Sequence, residues 1–222
     1  MENYALFKLF HLLLFVYWLG GDLGTYYASR FVVRDDLAPE QRATALKIMA
    51  GCDQAPRICM TLIFAAGLHM TWLNGMIVVN GTVVALVWLI SLVWLAMVLA
   101  IHFMGDRPII EKLTRVDFIF RLLVISATAL TGVYGLAGGG AIKPDWIAVK
   151  FLLFAALVAC GLFIRVYLRP FAPAFARLLA EGPSAEVNLV ISASLARCRP
   201  FVYLIWIGLL IAAALSLRLI RI

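Results

Sequence analysis

The chain is divided into apolar blocks, each close in length to the ~20 residues that a helix needs to cross a bilayer. The block from 82 to 104, TVVALVWLISLVWLAMVLAIHFM, contains no Asp, Glu, Lys or Arg. Hydrophobic residues make up 64% of the 222 residues and charged residues 14%. Soluble domains have about 45–50% and about 25%, respectively. The sequence therefore predicts an all-α fold, a polytopic transmembrane helical bundle, rather than a soluble protein.

Hydropathy predicts one transmembrane domain, residues 1–222, with about six spans. They run roughly over 4–29, 58–77, 82–104, 117–137, 146–168 and 200–220. Between the first two spans, the pattern from Pro39 to Ala50 predicts a short helix that ends at Gly51. The stretch 170–199 predicts an amphipathic surface segment, after which Pro200 opens the last span.

The lysines and arginines are unevenly distributed between the two predicted faces. Fourteen of the 19 follow the first, third and fifth spans, including Arg121 and Arg165. The remaining five are Lys8, Lys143, Lys150, Arg218 and Arg221. The positive-inside rule then places both termini outside a bacterial-type inner (cytoplasmic) membrane. The same rule accounts for the net charge of +7 without a nucleic-acid partner, so we expect none.

Two of the three histidines are predicted at matched depth on consecutive, antiparallel spans. His11 lies seven residues into the first span, about 10 Å deep, and His69 about 12 Å from the same face. Imidazoles facing each other across a helix pair are typical of b-type haem, whose iron takes two axial ligands. The pair predicts haem b, with His11 and His69 as metal ligands. The alternative is that each histidine is hydrogen-bonded across helices.

Small and basic residues near this depth extend the predicted site. Gly67 precedes His69 by two residues, and Gly132 is expected at similar depth on the fourth span, so both would let a porphyrin approach. Lys150 and Lys8 lie at the same face, where they could neutralise a haem propionate or bind a substrate carboxylate. Each lysine could instead reach the headgroups. We count Lys150 among the candidate catalytic residues.

Asp22, the second candidate catalytic residue, follows His11 by eleven residues and so faces the same side of the helix. A carboxylate in a span marks either a structural ion pair or a functional site. Two interpretations stay open: an Asp22–Arg121 clamp or a proton relay. Gly20 and Gly24 have the spacing of close helix packing. His102, near the end of the third span, could contact water, Asp22 or a quinone.

Two stretches resemble a known family. LFHLLLFVYWLGG (9–21) and LTGVYGLAGGGAIKPDWIAVKFLLFAALVACGLFIR (130–165) are similar to the HemJ/CopD-like small haem-binding membrane proteins. The resemblance to HemJ implies haem b and oxidation of protoporphyrinogen IX, with His11 and Lys150 as the key pair. The resemblance to CopD implies copper uptake. The chain departs from the HemJ pattern in an extra hairpin, which carries His69.

Three functions are thus open. The first is a b-type haem membrane redox protein that exchanges electrons with a quinone or oxidises a porphyrin. The second is a copper-handling or small-solute transporter, and the third is a non-catalytic subunit of a membrane complex. A homo-oligomer or a membrane-complex partner is compatible with each. The sequence has no GxGxxG or GxxxxGK[ST] motif for a nucleotide.

Overall fold

The computed structural model describes residues 2–105 and 107–220. Within these ranges the chain forms seven helices and no strand, which confirms the all-α prediction. Arg221, which enters the charge count above, lies outside the described residues. The helices are α1 (Glu2–Val32), α2 (Pro39–Leu73), α3 (Gly81–Phe103), α4 (Pro108–Leu136), α5 (Asp145–Tyr167), α6 (Phe171–Glu181) and α7 (Ala185–Ser216).

Among the described residues, five segments are long and apolar enough to cross a membrane, as expected for a multi-pass membrane protein: α1, α3, α4, α5 with α6, and α7. The second predicted span, 58–77, lies in the last part of α2 and the turn after it. This part of α2 is nevertheless the centre of the bundle. Its residues Cys59, Met60, Ile63 and Ala66 are buried in one cluster with side chains of α1, α3, α5 and α7.

The bundle has two ends. The terminal end carries the start of α1, the end of α7 and the loops 74–80 and 137–144. These two loops pair: the Val78 amide donates to the Ala141 carbonyl at 2.8 Å, and the Lys143 amide donates to the Met76 carbonyl at 3.0 Å. The opposite end carries the loops 33–38 and 104–107 together with α6, although Asp106 is not among the described residues.

The predicted stop at Gly51 is wrong, because α2 is continuous from Pro39 to Leu73 and includes Pro56. A proline has no N–H to donate to the carbonyl four residues earlier, here that of Cys52. That carbonyl faces α1 at Gly21, where an added Cβ would lie 3.0 Å from it. The absent side chain at Gly21 thus leaves room for the proline turn and permits the helix to continue.

The predicted start of the last span at Pro200 is also wrong, since α7 begins at Ala185 and contains this proline. Ser184 caps the helix, accepting a hydrogen bond from the Val187 amide at 3.2 Å. The predicted surface stretch therefore divides into α6 and the first part of α7. α6 is amphipathic, as expected, and its apolar side packs on α1, α2 and α7 through Phe171, Ala174, Phe175 and Leu178.

Candidate functional site

The predicted haem residues meet where α1 packs against α2 near the terminal end. Gly67 lies directly against the His11 imidazole, so that an added Cβ would be 3.0 Å from His11 Cε1. Phe7, one turn earlier on α1, stacks on the His69 ring with a centroid distance of 3.9 Å. The structure therefore places both histidines in the α1–α2 interface, within about one helical turn of each other in height.

His11 has an imidazole nitrogen without a partner. Its Nδ1 is buried and makes no hydrogen bond within the described part of the chain. Lys150, on α5, lies near enough for its positive charge to act on this imidazole. An unpaired buried polar atom is uncommon in folded proteins and requires a reason. The region around His11 is thus one place in the bundle where a hydrogen-bond partner or a ligand is missing.

His69 is engaged by its surroundings. The Trp88 indole N–H donates to His69 Nδ1 at 3.0 Å, and the Trp72 ring packs edge-on to the imidazole at 5.6 Å. An indole can only donate, so His69 Nδ1 must be the acceptor. The proton of neutral His69 is consequently on Nε2, and neither nitrogen offers a free lone pair in this arrangement.

The space around the two histidines decides whether these residues fit a haem. A bis-histidine site needs space for a porphyrin between two facing imidazoles. Here the Phe7 ring fills the space beside His69, Gly67 lies directly against His11, and the Trp88 indole N–H occupies His69 Nδ1. The unpaired Nδ1 leaves the His11 imidazole with a nitrogen that could bind a ligand. The arrangement does not fit His69 as the second ligand in its observed conformation.

Lys150 is held at the terminal end by α7 and by an aromatic ring. Its ammonium group donates to the Ser216 hydroxyl and lies 5.3 Å from the centre of the Trp146 ring. The Arg218 guanidinium lies 5.5 Å from the same ring. Among the described residues, no carboxylate forms an ion pair with either cation. This group is therefore suited to an anion.

Two other predicted residues lie elsewhere. Lys8 is exposed on α1. Gly132 packs against α5, where an added Cβ would be 2.8 Å from Leu152 Cγ and 2.9 Å from the Ala148 carbonyl oxygen. Its nearest neighbours are thus α5 atoms and not the ring of either histidine.

Asp22 lies toward the opposite end, about 16 Å along α1 from His11 by helix rise. Its Oδ2 is buried and has no hydrogen-bond partner in the described ranges. The predicted Asp22–Arg121 clamp is wrong, because Arg121 donates instead to Asp117 at 2.9 Å and to the Met60 sulfur at 3.4 Å. Asp117 is one turn from Arg121 on the same helix, so it reaches the guanidinium first.

The predicted packing through Gly20 and Gly24 is only half right. An added Cβ at Gly20 would meet nothing within 4 Å, so this residue faces away from α2. Gly21 and Gly24 make the contact, with Cys52 facing both and Pro56 facing Gly21. The correct contact pair has a spacing of three residues, which also places residues on one side of a helix.

The sequence analysis missed a buried charge network around Asp117, which is 0% exposed. This carboxylate pairs with Arg121 at 2.9 Å and with Arg165 of α5 at 2.7 Å, and it accepts a hydrogen bond from the Trp94 indole at 3.0 Å. The orientation predicted from the positive-inside rule treats Arg121 and Arg165 as loop cations. In the sequence, an Asp and an Arg four residues apart at a span boundary were the available signal for this ion pair.

Within residues 2–105 and 107–220, no group of three or more His, Cys, Asp or Glu side chains is placed to hold a metal ion. Comparisons with protein-family models, curated proteins and solved structures give no significant match to the chain. The case for a function rests on the geometry described above.

Proposed function

We propose that the protein is a membrane redox protein that binds haem b, with His11 as an axial ligand. The observation that carries the proposal is the buried His11 Nδ1, which has no partner. An ionisable side chain inside a membrane bundle marks a functional site by default. Imidazole is the commonest ligand for haem iron in proteins. The same pairing of His11 with Lys150 follows from the family resemblance.

Three residues of the chain have defined roles in this proposal. His11 supplies the ligating nitrogen, and Gly67 leaves room for its ring. Lys150 supplies a positive charge for a propionate, since no carboxylate of the described residues pairs with it. A bound haem would supply one-electron chemistry. Asp22 is too distant to belong to this site, and its proton-relay role stays a prediction.

The visible spectrum of the purified protein tests the proposal. We expect a Soret band and haem b in a pyridine haemochrome assay, both lost in His11→Ala. Lys150→Ala should weaken haem retention without abolishing it. His102→Ala is a matched control at the other end of the bundle and should retain the full spectrum. Absence of haem from protein expressed with haem supplementation would contradict the proposal.

His69→Ala separates the single-ligand proposal from the bis-histidine interpretation. We expect this variant to keep its haem, because Trp88 occupies His69 Nδ1. Loss of the low-spin spectrum in both histidine variants would instead support two histidine ligands. Stoichiometric copper without iron in the same preparation would favour the copper-handling alternative.

We further propose a bacterial-type inner membrane with both termini outside. The charge asymmetry supports it, although Arg121 and Arg165 are part of the buried network. Reporter fusions at the two termini test the orientation, and activity of a cytoplasmic reporter at either terminus would contradict it.

A further inference from the structure

A polar cavity of ≈250 Å³ opens between α2 and α3 at the opposite end of the bundle from His11. Polar side chains line most of it, and they come from both helices. The residues that decide its chemistry are Asp53, Gln54 and Arg57 on α2 and Val98, Ile101 and His102 on α3. None of them takes part in the proposed haem site.

The charges in the cavity wall cancel each other. Arg57 donates through Nε to Asp53 Oδ2 at 2.6 Å, and its Nη2 lies 2.5 Å from the same oxygen. A ligand that carries a full negative charge would lose its hydration and find no uncompensated cation in this wall. The cavity is therefore suited to a neutral ligand that accepts hydrogen bonds.

The cavity also has a donor without an acceptor. Gln54 Nε2 is buried and makes no hydrogen bond within the described part of the chain. An amide nitrogen has two N–H groups, and burying them unpaired is unfavourable. His102 faces the same space from α3 and can donate through an imidazole N–H. Two donors on separate helices thus lie on either side of the cavity.

We propose that this cavity binds the head group of a membrane quinone, whose two carbonyl oxygens accept hydrogen bonds from Gln54 and His102. A quinone ring is neutral, flat and small. The cavity is below the about 300–1,000 Å³ typical of sites that enclose a whole ligand, which suits a head group with its tail outside. Val98 and Ile101 provide the apolar wall for the ring.

The surroundings of the cavity fit an apolar tail. Phe103 follows His102 on α3 and is 75% exposed, as expected for a side chain that faces lipid. Leu92 and Val93 continue this exposed surface along the same helix. An isoprenoid tail can therefore leave the cavity into the bilayer along α3, while the head group stays between α2 and α3.

Titration with decylubiquinone tests the proposal in protein reconstituted into lipid nanodiscs, with empty nanodiscs as the background. We expect saturable binding that Gln54→Leu weakens at least tenfold, because the substitution removes both N–H groups of the Gln54 amide at similar size. Ala50→Phe places a ring at the cavity edge without removing a polar group and should weaken binding by a similar factor. Gln41→Leu makes the same change outside the cavity and should leave the Kd unchanged.

The proposal would be overturned by no binding above that of empty nanodiscs, or by equal Kd values in Gln54→Leu, Ala50→Phe and the wild-type chain. Stronger competition by benzoate than by a neutral quinone would also overturn it, since it would identify a carboxylate site. Circular dichroism checks that each variant is folded. The titration measures binding and not electron transfer, so its outcome is independent of haem at His11.

Discussion

Two buried polar groups of the bundle, the Asp117 carboxylate and the His11 imidazole, differ in how far their surroundings satisfy them. Around Asp117, one carboxylate forms ion pairs with two guanidinium groups and accepts a hydrogen bond from an indole N–H, although Arg165 Nη1, at 2.7 Å, does not have hydrogen-bond geometry. Around His11, a polar nitrogen is buried against Gly67 and has no partner in the described part of the chain. In the first arrangement opposite charges neutralise one another, whereas in the second a buried polar atom has no counterpart among the described residues.

This difference gives a criterion for sorting charged residues inside a bundle. A buried ion pair with good geometry links helices, and its loss should appear as lost stability. A buried group without a partner contributes little to stability and is a better functional candidate. By this criterion Asp117, Arg121 and Arg165 are structural, and His11 and Asp22 are functional candidates.

The largest expected effect is that of Asp117→Asn, which removes the charge that neutralises the buried Arg121 guanidinium and the partly exposed Arg165 guanidinium. Breaking a buried pair in this way costs about 3–5 kcal/mol. Titration of detergent-solubilised protein with SDS, followed by circular dichroism, measures the free energy of unfolding. Arg165→Met should cost less than Asp117→Asn, because the Arg121–Asp117 pair remains. A larger loss in Arg165→Met would contradict the assignment of Asp117 as the centre of the network.

The second-largest effect is expected at Gly21, the residue before Asp22, where α1 contacts α2. In Gly21→Ala the new methyl group would lie 2.5 Å from Pro56 Cδ and 3.0 Å from the Cys52 carbonyl oxygen. We expect a loss of about 1–3 kcal/mol, as in other overpacked interfaces, in the same SDS titration. The control is the adjacent Gly20→Ala, which meets nothing within 4 Å and should stabilise the helix by about 0.5–1 kcal/mol. Equal effects in the two variants would rule out this packing.

Much of the fold was predictable because apolar block length reports directly on helices in a membrane. The errors fell around Pro56, which lies between the predicted stop at Gly51 and the span predicted from 58, and at Pro200, which was predicted to open the last span. A proline inside a helix is tolerated where neighbouring groups accommodate its ring and the free carbonyl. At Pro56 this depends on Gly21 of another helix, which no local pattern reveals.

The site was less predictable, because depth in the membrane does not give side-chain direction. His11 and His69 were correctly placed near one another, yet the Trp88 indole that occupies His69 comes from a third helix. The partner of Arg121 was missed for a different reason. Asp117 was treated as the boundary of a span, although a residue four positions away on a helix is always a neighbour.

A smaller effect is expected from Trp88→Phe, which removes the indole N–H that His69 accepts at 3.0 Å. Side-chain hydrogen bonds between membrane helices each stabilise a protein by about 0.6 kcal/mol on average and by about 1.7 kcal/mol at most. We expect a loss in this range, and ¹⁵N NMR should show that His69 no longer holds its proton on Nε2 alone. Trp72→Phe is the matched control, since its indole donates to the Val79 carbonyl and not to a histidine. An unchanged His69 tautomer in Trp88→Phe would show that Trp88 does not set it.

The smallest effect is expected where an ion pair is fully exposed to water. Arg34 donates to Asp36 in the loop after α1, and this hydrogen bond holds the pKa of the Asp36 carboxyl below its ordinary value of 3.8. A carboxyl with a lowered folded-state pKa stabilises the fold above its unfolded-state pKa, and this contribution disappears as the pH falls through the folded-state pKa. Because solvent screens the pair, we expect no measurable loss of stability in Arg34→Ala. NMR titration should instead show the pKa of Asp36 rising toward its ordinary value. A clear loss of stability in Arg34→Ala would mean that exposure to water does not make this ion pair less stabilising than those of the buried Asp117 network.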